Sequence, residues 1–312
     1  MGKDKFSAFM ANLAMLLALE SYSPEKIDQD MEMKEECVET KIDDLELDGQ
    51  EVNIDIPDES GSVSNLPWVN DQKFLEAQEK NNAYILMAAY CSVLIDPLPG
   101  EEFNVSLAAK ALVGTVVPSE DIFSQNKALG PYTESRGYRK GASYSGSNIV
   151  QTEGGGVCKI ASTLYNVAIL SNLDIIERHN HTMPVNYVPY GQDATVAYGG
   201  KDFKFKNNRD FPILIWSQIV GNRLYIGFYG QEASPEIKWN HKTIDMVEAP
   251  KYYRQNPDLK EGEERVILKG MDGATVESWI TIKEDDGKIK TKNLGISRYI
   301  PMPHIIEVNE LK

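Results

Sequence analysis

The sequence predicts an α+β fold in which a helix packs on an antiparallel sheet, followed by a small all-β module. Two patterns carry this prediction. After Cys158, apolar residues recur at three- and four-residue spacing as far as Leu170, which is typical of an amphipathic helix. Over residues 203–229 and again over 276–297, short apolar or alternating runs are separated by turn residues, which is typical of antiparallel strands.

The N-terminal residues bear on where the protein resides. Residues 1–23 combine two early lysines, an apolar run and the small residues Ser21 and Ser23, and they resemble a secretory signal peptide. This interpretation predicts an extracytoplasmic, cell-envelope location, with membrane contact only through that segment. The alternative is an N-terminal helix packed on the protein, which predicts a cytoplasmic location.

Residues 24–70 are predicted to form an acidic, disordered segment. Between Glu20 and Ser60, sixteen acidic residues accompany three lysines, and aromatic residues are few. This stretch accounts for most of the formal net charge of −15. The acidic balance and the lack of a basic stripe argue against nucleic-acid binding.

Residues 71–234 are predicted to form the main domain. Apolar spacing predicts a helix over residues 72–95, ended by Pro97 and Pro99, and a second helix over residues 104–113. Residues 130–146 are rich in Gly, Tyr, Ser and Arg, which favours either a loop that walls a polar cleft or a solvated surface loop. The candidate substrate contacts in this loop are Arg136, Tyr138, Arg139 and Tyr144.

Cys158 is the candidate nucleophile. It follows three consecutive glycines, residues 154–156, whose backbone can adopt conformations closed to other residues and leaves room for a ligand. Because the predicted helix begins beside it, unpaired N–H groups and the helix dipole favour thiolate over thiol. The alternative is a small, packed side chain. Cys37 and Cys91 complete an odd count of three at scattered positions, which gives no disulfide framework.

Two histidines and an aspartate follow Cys158 in chain order. His179 and His181 precede a predicted strand at residues 183–188, and Asp193 opens another at residues 194–197. In a cysteine enzyme a histidine deprotonates the thiol, and a carboxylate fixes the tautomer of that histidine.

Strand periodicity would place both histidines on one face, so either could reach the thiol. We choose His181 as the base and assign His179 to the substrate side. The alternatives are a zinc site formed by Cys158 and both histidines, and a plain turn role for Asp193. We expect no metal and no cofactor.

Several motifs in one order carry a family resemblance. They include GGGVCKIASTLYNVAIL (154–170) and ERHNHTMPVNYVPYGQDATV (177–196), with further matches in residues 116–150 and 198–215. Residues 104–230 thereby resemble the VanW domain, a family associated with Gram-positive cell envelopes. The family has glutamine after the cysteine, whereas this sequence has Lys159, whose ammonium favours a thiolate. Gly155, Gly156 and Lys159 join the candidate substrate contacts.

The C-terminal residues are predicted to form a β module, residues 261–312, after a connector or edge strand at residues 235–260. Alternating runs at 276–282 and 288–297, joined by Asp285-Asp286-Gly287, predict a hairpin. Residues 261–308 are similar to the G-five domain, a cell-wall module proposed to bind polymers of N-acetylglucosamine. This similarity implies peptidoglycan or another cell-wall polymer as the partner. Trp279, Tyr299 and His304 predict either an aromatic sugar platform or buried packing.

A helix-borne cysteine with His181 and Asp193 on a sheet resembles the layout of papain-like and transglutaminase-like enzymes. In that layout Cys158 attacks an amide carbonyl, His181 moves the proton, and N–H groups at the helix start bind the oxyanion. The expected function is a peptidase, amidase or transpeptidase acting on peptidoglycan peptides. The alternative is a non-catalytic envelope adaptor that binds cell-wall glycan or peptide, with a structural Cys158.

Overall fold

The computed structural model describes residues 54–95, 100–145, 148–284 and 286–309, and the side chains of residues 142–149 are not described. Several predictions lie outside the described residues: the signal-like segment, the acidic stretch up to residue 53, Cys37, Pro97, Pro99, Asp285 and the side chain of Tyr144. In the described ranges no helix combines the length and the apolarity that a membrane crossing requires. The fold is α+β, with few helices and mainly antiparallel sheets.

The largest sheet has five antiparallel strands in the order β1-β2-β10-β9-β3. Residues along β10 alternate between two apolar clusters, so Ile226 and Phe228 face one side while Tyr225 and Tyr229 face the other. Helices cover both faces, which buries each cluster. The strands are β1 (Gly61–Ser62), β2 (Ile85–Val93), β3 (Thr115–Val117), β9 (Ile213–Val220) and β10 (Arg223–Gly230).

Three helices pack on this sheet. Helix α1 (Gln72–Asn81) covers one face, with Phe74 packed edge-on against Trp216 at 5.2 Å between ring centroids. Helices α2 (Glu101–Leu112) and α4 (Cys158–Leu170) cover the other face. Helix α4 begins at Cys158, as the apolar spacing predicts. The cysteine therefore lies at the N-terminal end of the helix, beside the loops that connect the strands.

The single helix predicted over residues 72–95 is wrong in its second half. Asn82 ends α1 in the left-handed conformation (φ 50°), and residues 85–93 form β2. Strand β2 pairs with β10 along its whole length and is rich in side chains that pack well between two apolar layers. The apolar spacing that favoured a helix also fits a strand that is buried on both faces.

The disordered segment predicted over residues 24–70 extends too far. Residues 54–70 are ordered on the sheet: β1 pairs with β2, and Leu66 and Trp68 are buried. The Trp68 indole donates to the Tyr229 hydroxyl at 2.9 Å. The folded part of the chain therefore begins before residue 71, because these two large apolar side chains have a place in the core.

Smaller elements frame the sheet. A three-stranded sheet, β4-β8-β7, combines β4 (Ile122–Ser124), β7 (Asp174–Glu177) and β8 (Lys204–Lys206). Helix α3 (Gln125–Leu129) follows β4, and a 3₁₀ turn spans Glu134–Arg136. Strands β5 (Lys140–Ser145) and β6 (Asn148–Glu153) pair as a hairpin, so part of the loop predicted over residues 130–146 is a strand.

Residues 178–203 contain neither helix nor strand, so the strands predicted at residues 183–188 and 194–197 are wrong. Pro184 and Pro189 lack the N–H groups that a sheet ladder requires. The segment bonds irregularly instead, as where the Thr195 N–H donates to the His179 carbonyl at 2.8 Å. The side chains of this loop are therefore directed by individual contacts and not by strand periodicity.

The C-terminal part consists of two three-stranded sheets. One has the order β11-β14-β15 and the other the order β12-β16-β13, and the pair β12–β16 is parallel. The predicted hairpin corresponds to β14 and β15. The strands are β11 (Glu236–Val247), β12 (Lys251–Gln255), β13 (Glu264–Leu268), β14 (Gly273–Lys283), β15 (Ile289–Tyr299) and β16 (His304–Val308).

The predicted connector, residues 235–260, belongs to these sheets. Strand β11 is the edge partner of β14, and β12 pairs with β16. Trp239 on β11 also packs edge-on against Tyr165 of α4, with ring centroids 5.5 Å apart. The C-terminal sheet thus lies against the helix that carries Cys158.

Candidate functional site

The glycine loop before Cys158 is shaped by close packing. Gly154 and Gly156 have φ values of 73° and 102°, a region that favours glycine. A Cβ at Gly154 would lie 2.4 Å from the Cβ of Tyr132. Gly155 is buried, and its carbonyl accepts from Asn104 Nδ2 at 2.9 Å. The loop is therefore clamped in place, which fixes the point at which α4 begins.

Cys158, His181 and Asp193 lie in contact in that order. Asp193 Oδ2 accepts from His181 Nδ1 at 2.6 Å and from the His181 backbone N–H at 2.7 Å. The imidazole also hydrogen-bonds to the Cys158 thiol, and since Nδ1 is engaged, this bond is made by Nε2. His181 and Asp193 are 3% and 1% exposed, whereas Cys158 is half-buried. A partly accessible sulfur is thus backed by a buried imidazole and a buried carboxylate.

Three further groups contact the sulfur, and one of them is the Val196 carbonyl oxygen, 3.6 Å from Sγ. The Thr195 hydroxyl lies 3.4 Å from Cys158 Sγ, and the Val196 N–H donates to Sγ at 3.4 Å. Ser162, one helical turn after the cysteine, accepts from the Ala194 N–H at 2.9 Å and so ties the 193–196 segment to α4. These residues were not singled out from the sequence, although they lie within the motif that contains Asp193.

The protonation states follow from these contacts. Burial alone would raise the pKa of Cys158, but the hydrogen bond and positive charge of His181, with the Thr195 hydroxyl and the Val196 N–H, lower it. Burial opposes protonation of His181, yet the hydrogen bonds to Asp193 and Cys158 raise its pKa to about 9. Despite burial, the hydrogen bond and charge of His181 and the charge of Arg178 lower the pKa of Asp193 to about 2. These contacts favour the thiolate–imidazolium form of the pair over the neutral thiol and imidazole.

The second oxygen of Asp193 has its own partners. Oδ1 accepts from Arg178 Nη2 at 3.0 Å and from the Tyr299 hydroxyl at 2.5 Å. Arg178 Nε also donates to the Asp193 carbonyl at 2.7 Å, and its guanidinium lies 5.0 Å from the centroid of the Tyr165 ring. Sequence reasoning missed Arg178, and it singled out Tyr299 for sugar binding or packing but not for a contact with Asp193. Arg178 lies in the motif that contains the histidines, whereas Tyr299 is distant in sequence and gave no local signal.

Only one of the two histidines lies next to the thiol. His179 Nε2 contacts Glu177 Oε1 at 3.1 Å, and the side chain is 42% exposed. The zinc alternative requires Cys158, His179 and His181 to converge, and within the described residues no group of metal-ligating side chains has that arrangement. His179 therefore points to the surface beside the site.

The remaining sequence candidates are scattered. Tyr138 is buried and donates to the Leu129 carbonyl at 3.2 Å, so it does not line an open cleft. Arg136 is exposed and donates to the Gly130 carbonyl, and Arg139 lies over the Phe103 ring at 3.7 Å. The candidates Trp279 and His304 are half-buried, whereas Tyr299 is buried at Asp193 and offers no sugar platform.

Lys159 is buried and forms an ion pair with Glu101. Its Nζ lies 2.5 Å from Glu101 Oε2, and Glu101 begins α2. Gly156 also packs on Glu101, since a Cβ there would lie 3.1 Å from the Glu101 Cβ. Lys159 therefore fastens the start of α4 to the start of α2.

Two of the backbone N–H groups at the helix start are already engaged. The Lys159 N–H donates to the Gly156 carbonyl at 2.9 Å, and the Ile160 N–H donates to the Val157 carbonyl at 3.1 Å. An oxyanion at Cys158 would therefore take no hydrogen bond from these two N–H groups in this conformation, whereas the Thr195 hydroxyl, 3.4 Å from Sγ, is a side-chain donor beside the sulfur.

The sequence around the site matches a known protein family. Residues 100–229 match the sequence profile of the family described as VanW like protein. The match contains Cys158, His181 and Asp193. Residues 100–229 are VanW-like.

Two curated relatives share this region. The YoaR protein of Bacillus subtilis (strain 168) is 39% identical over 129 residues, which cover 41% of this chain and 43% of YoaR. The vancomycin B-type resistance protein VanW of Enterococcus faecalis (strain ATCC 700802 / V583) is 28% identical over 158 residues, covering 47% of this chain and 58% of that protein. The chain thus spans about half the length of the curated relatives that it matches.

The chain is also similar to a solved G5 domain. The G5 domain of IgA1 protease is 28% identical and covers 25% of this chain and 95% of that structure, with a TM-score of 0.16.

Proposed function

We propose that this chain is a cell-envelope thiol enzyme, a peptidase, amidase or transpeptidase that acts on peptidoglycan peptides through Cys158, His181 and Asp193. The observation that carries the proposal is the contact chain from a half-buried thiol through a buried imidazole to a buried carboxylate. The VanW-like match, which includes a relative named as a vancomycin resistance protein, supports an envelope location and a cell-wall substrate.

The geometry suits acyl transfer. In the first step the Cys158 thiolate attacks an amide carbonyl, and the His181 imidazolium donates its Nε2 proton to the departing amine, leaving a thioester and a neutral imidazole. In the second step the imidazole takes a proton from water or from an acceptor amine, which attacks the thioester; the Cys158 thiolate leaves, and the thiolate–imidazolium pair is restored. Asp193 holds His181 Nδ1 protonated throughout, so Nε2 is the nitrogen that exchanges the proton.

We further propose that the layout is papain-like or transglutaminase-like in its order of elements. The cysteine begins a helix, and the histidine and aspartate follow in the chain. The histidine and aspartate are held by a loop and not by strands, so the analogy is one of order alone.

The roles of the candidate substrate contacts are also proposals. His179 and Arg136 present exposed polar groups, whereas Tyr138, Gly155 and Lys159 are buried. We therefore assign substrate contact to the first two and support of the site to the other three. We also propose a division into a VanW-like domain ending near residue 234 and a β module after it.

The thiol itself provides the first test. In the folded protein, iodoacetamide should modify Cys158 rapidly near neutral pH, because the pKa of the thiol is lowered. His181→Ala should move this reactivity to alkaline pH. His179→Ala is the matched control, since it removes a histidine two residues away that pairs with Glu177. Iodoacetamide should not modify Cys91, because burial raises the pKa of that thiol to about 12.

The outcomes separate an enzyme from a binding protein. Rapid modification that depends on His181 but not on His179 supports an activated thiolate. Purified peptidoglycan should then be cleaved or cross-linked by the wild type and not by Cys158→Ala, as measured by mass spectrometry of the released peptides. Slow modification that is indifferent to His181 and appears only on unfolding would rule out the enzyme and leave an envelope adaptor with a structural cysteine.

A further inference from the structure

The loop that carries Asp193 is held by the C-terminal sheet. Tyr299, the last residue of β15, is 6% exposed, and its hydroxyl contacts Asp193 Oδ1 at 2.5 Å. The same hydroxyl accepts from the Gly191 N–H at 2.8 Å. One phenol oxygen from the C-terminal sheet thus bonds both to the acid of the candidate site and to the backbone two residues before it.

The chemistry of these two bonds fixes the direction of the hydroxyl proton. The Gly191 N–H can only donate, so it occupies a lone pair of the Tyr299 oxygen. The single hydroxyl proton is then directed at the Asp193 carboxylate, which can only accept. Burial and the charge of Asp193 raise the pKa of Tyr299, so the phenol stays protonated and remains a donor.

Arg178 makes a second link between the same partners. Its Nη2 donates to Asp193 Oδ1 at 3.0 Å and to the Gly191 carbonyl at 3.2 Å. Its Nη1 donates to Ser297 Oγ at 2.8 Å, and Ser297 lies on β15 two residues before Tyr299. Strand β15 therefore reaches the carboxylate both directly and through the mostly buried guanidinium of Arg178.

Gly191 allows the sheet to come this close. It has a φ of 85°, and a Cβ there would lie 2.3 Å from Ser278 Oγ of β14. Its neighbour Gln192 contacts His241 Nε2 of β11 at 3.0 Å. All three strands of the β11-β14-β15 sheet thus contact the loop that carries Asp193.

We propose that Tyr299 is a positioning residue for Asp193, and that the C-terminal sheet is a structural part of the candidate active site. The inference rests on the proposed function. Tyr299 acts through Asp193 on His181: it holds the carboxylate in the orientation that keeps Nδ1 bonded and Nε2 directed at Cys158. The β module therefore has a role in the reactivity of the thiol besides any binding that it performs.

The test compares two tyrosines of one interface in the full-length protein. Tyr299→Phe removes the hydroxyl at Asp193. Tyr190→Phe is the matched control, because its hydroxyl donates to the Asp272 carbonyl at 2.7 Å across the same interface and its ring packs on Tyr299 at 5.4 Å. The readouts are the rate of Cys158 modification by iodoacetamide against pH and the ultraviolet titration of the thiolate.

We expect Tyr299→Phe to slow modification at neutral pH roughly threefold to tenfold and to move the thiol titration. This is only part of the worth of a hydrogen bond to a charged group, because Tyr299 acts on the thiol through Asp193 and His181. Tyr190→Phe should leave both readouts unchanged. If the two variants behave alike, the hydroxyl serves only the interface and the inference is wrong. If Tyr299→Phe does not fold, Ser297→Ala replaces it, and an unchanged titration in that variant refutes the link through Arg178.

The two proposals fail in different ways. If wild-type Cys158 is slow and indifferent to His181→Ala, the proposed function fails and the positioning role fails with it. If Cys158 depends on His181 while Tyr299→Phe matches Tyr190→Phe, the thiol enzyme stands and only the role of Tyr299 is refuted.

Discussion

Replacing Asp193 by asparagine should destabilise the whole fold as well as the thiolate. The carboxylate is 1% exposed and accepts from four donors, two on each oxygen. Asparagine keeps one acceptor oxygen and presents an NH₂ group to the other pair of donors. Two hydrogen bonds to a charged group are then lost, each worth about 1.5–3 kcal/mol, so the free energy of unfolding should fall by about 3–6 kcal/mol. Since domains are stable by roughly 5–15 kcal/mol, this loss is large.

The assay is urea unfolding followed by tryptophan fluorescence, with Asp174→Asn as the control. Asp174 is exposed and pairs with Lys292 at 3.3 Å, so its replacement should change stability by less than about 1 kcal/mol. Lowering the pH should show the contribution of the Asp193 carboxylate to stability in the same assay. Because the folded pKa of Asp193 is about 2 and lies below the ordinary 3.8, its stabilisation is present above about pH 4 and is lost as the pH falls through about 2. A loss in Asp193→Asn no larger than in Asp174→Asn would refute this reasoning.

Three further predictions concern the thiol and its loop. Thr195→Val removes a donor 3.4 Å from Cys158 Sγ, so the ultraviolet titration of the thiolate should shift to higher pH; an unchanged titration would show that the hydroxyl does not stabilise the thiolate. Gly156→Ala should lower the free energy of unfolding, measured in urea, by about 1–3 kcal/mol more than Gly199→Ala does. Both glycines have positive φ, but only at Gly156 would an added Cβ crowd its neighbours. Equal losses in the two variants would show that this crowding does not matter. Cys91→Ser should leave the iodoacetamide label of the folded protein unchanged by mass spectrometry, since the pKa of Cys91 is about 12; a lost label would place reactivity at the wrong cysteine.

The sequence predicted well those elements whose start or turn is determined by neighbouring residues in the chain. The start of α4 at Cys158 follows from apolar spacing after a glycine loop, and the β14–β15 hairpin follows from alternation around a turn. The same spacing misled at β2, where a strand buried on both faces has no polar alternation to distinguish it from a helix.

The candidate site was predictable only in part for the same reason. The order cysteine, histidine, aspartate is visible in the sequence, and the structure brings Cys158, His181 and Asp193 together; their catalytic role stays a prediction. Strand periodicity could not distinguish His179 from His181, because the segment is an irregular loop. Tyr299 reaches Asp193 from the C-terminal sheet, and a contact between residues so far apart in the chain leaves no periodic signal.

The short link between β10 and β11 has a consequence for how the two parts assemble. Five residues separate Gly230 from Glu236, so the β11-β14-β15 sheet is tethered within roughly 20 Å of the end of the central sheet. At that range the docking of the sheet is an intramolecular event with an effective concentration in the millimolar range. The apolar packing of Trp239 on Tyr165 and the hydrogen bonds to the Asp193 loop can then keep the sheet in place although each contact is weak by itself.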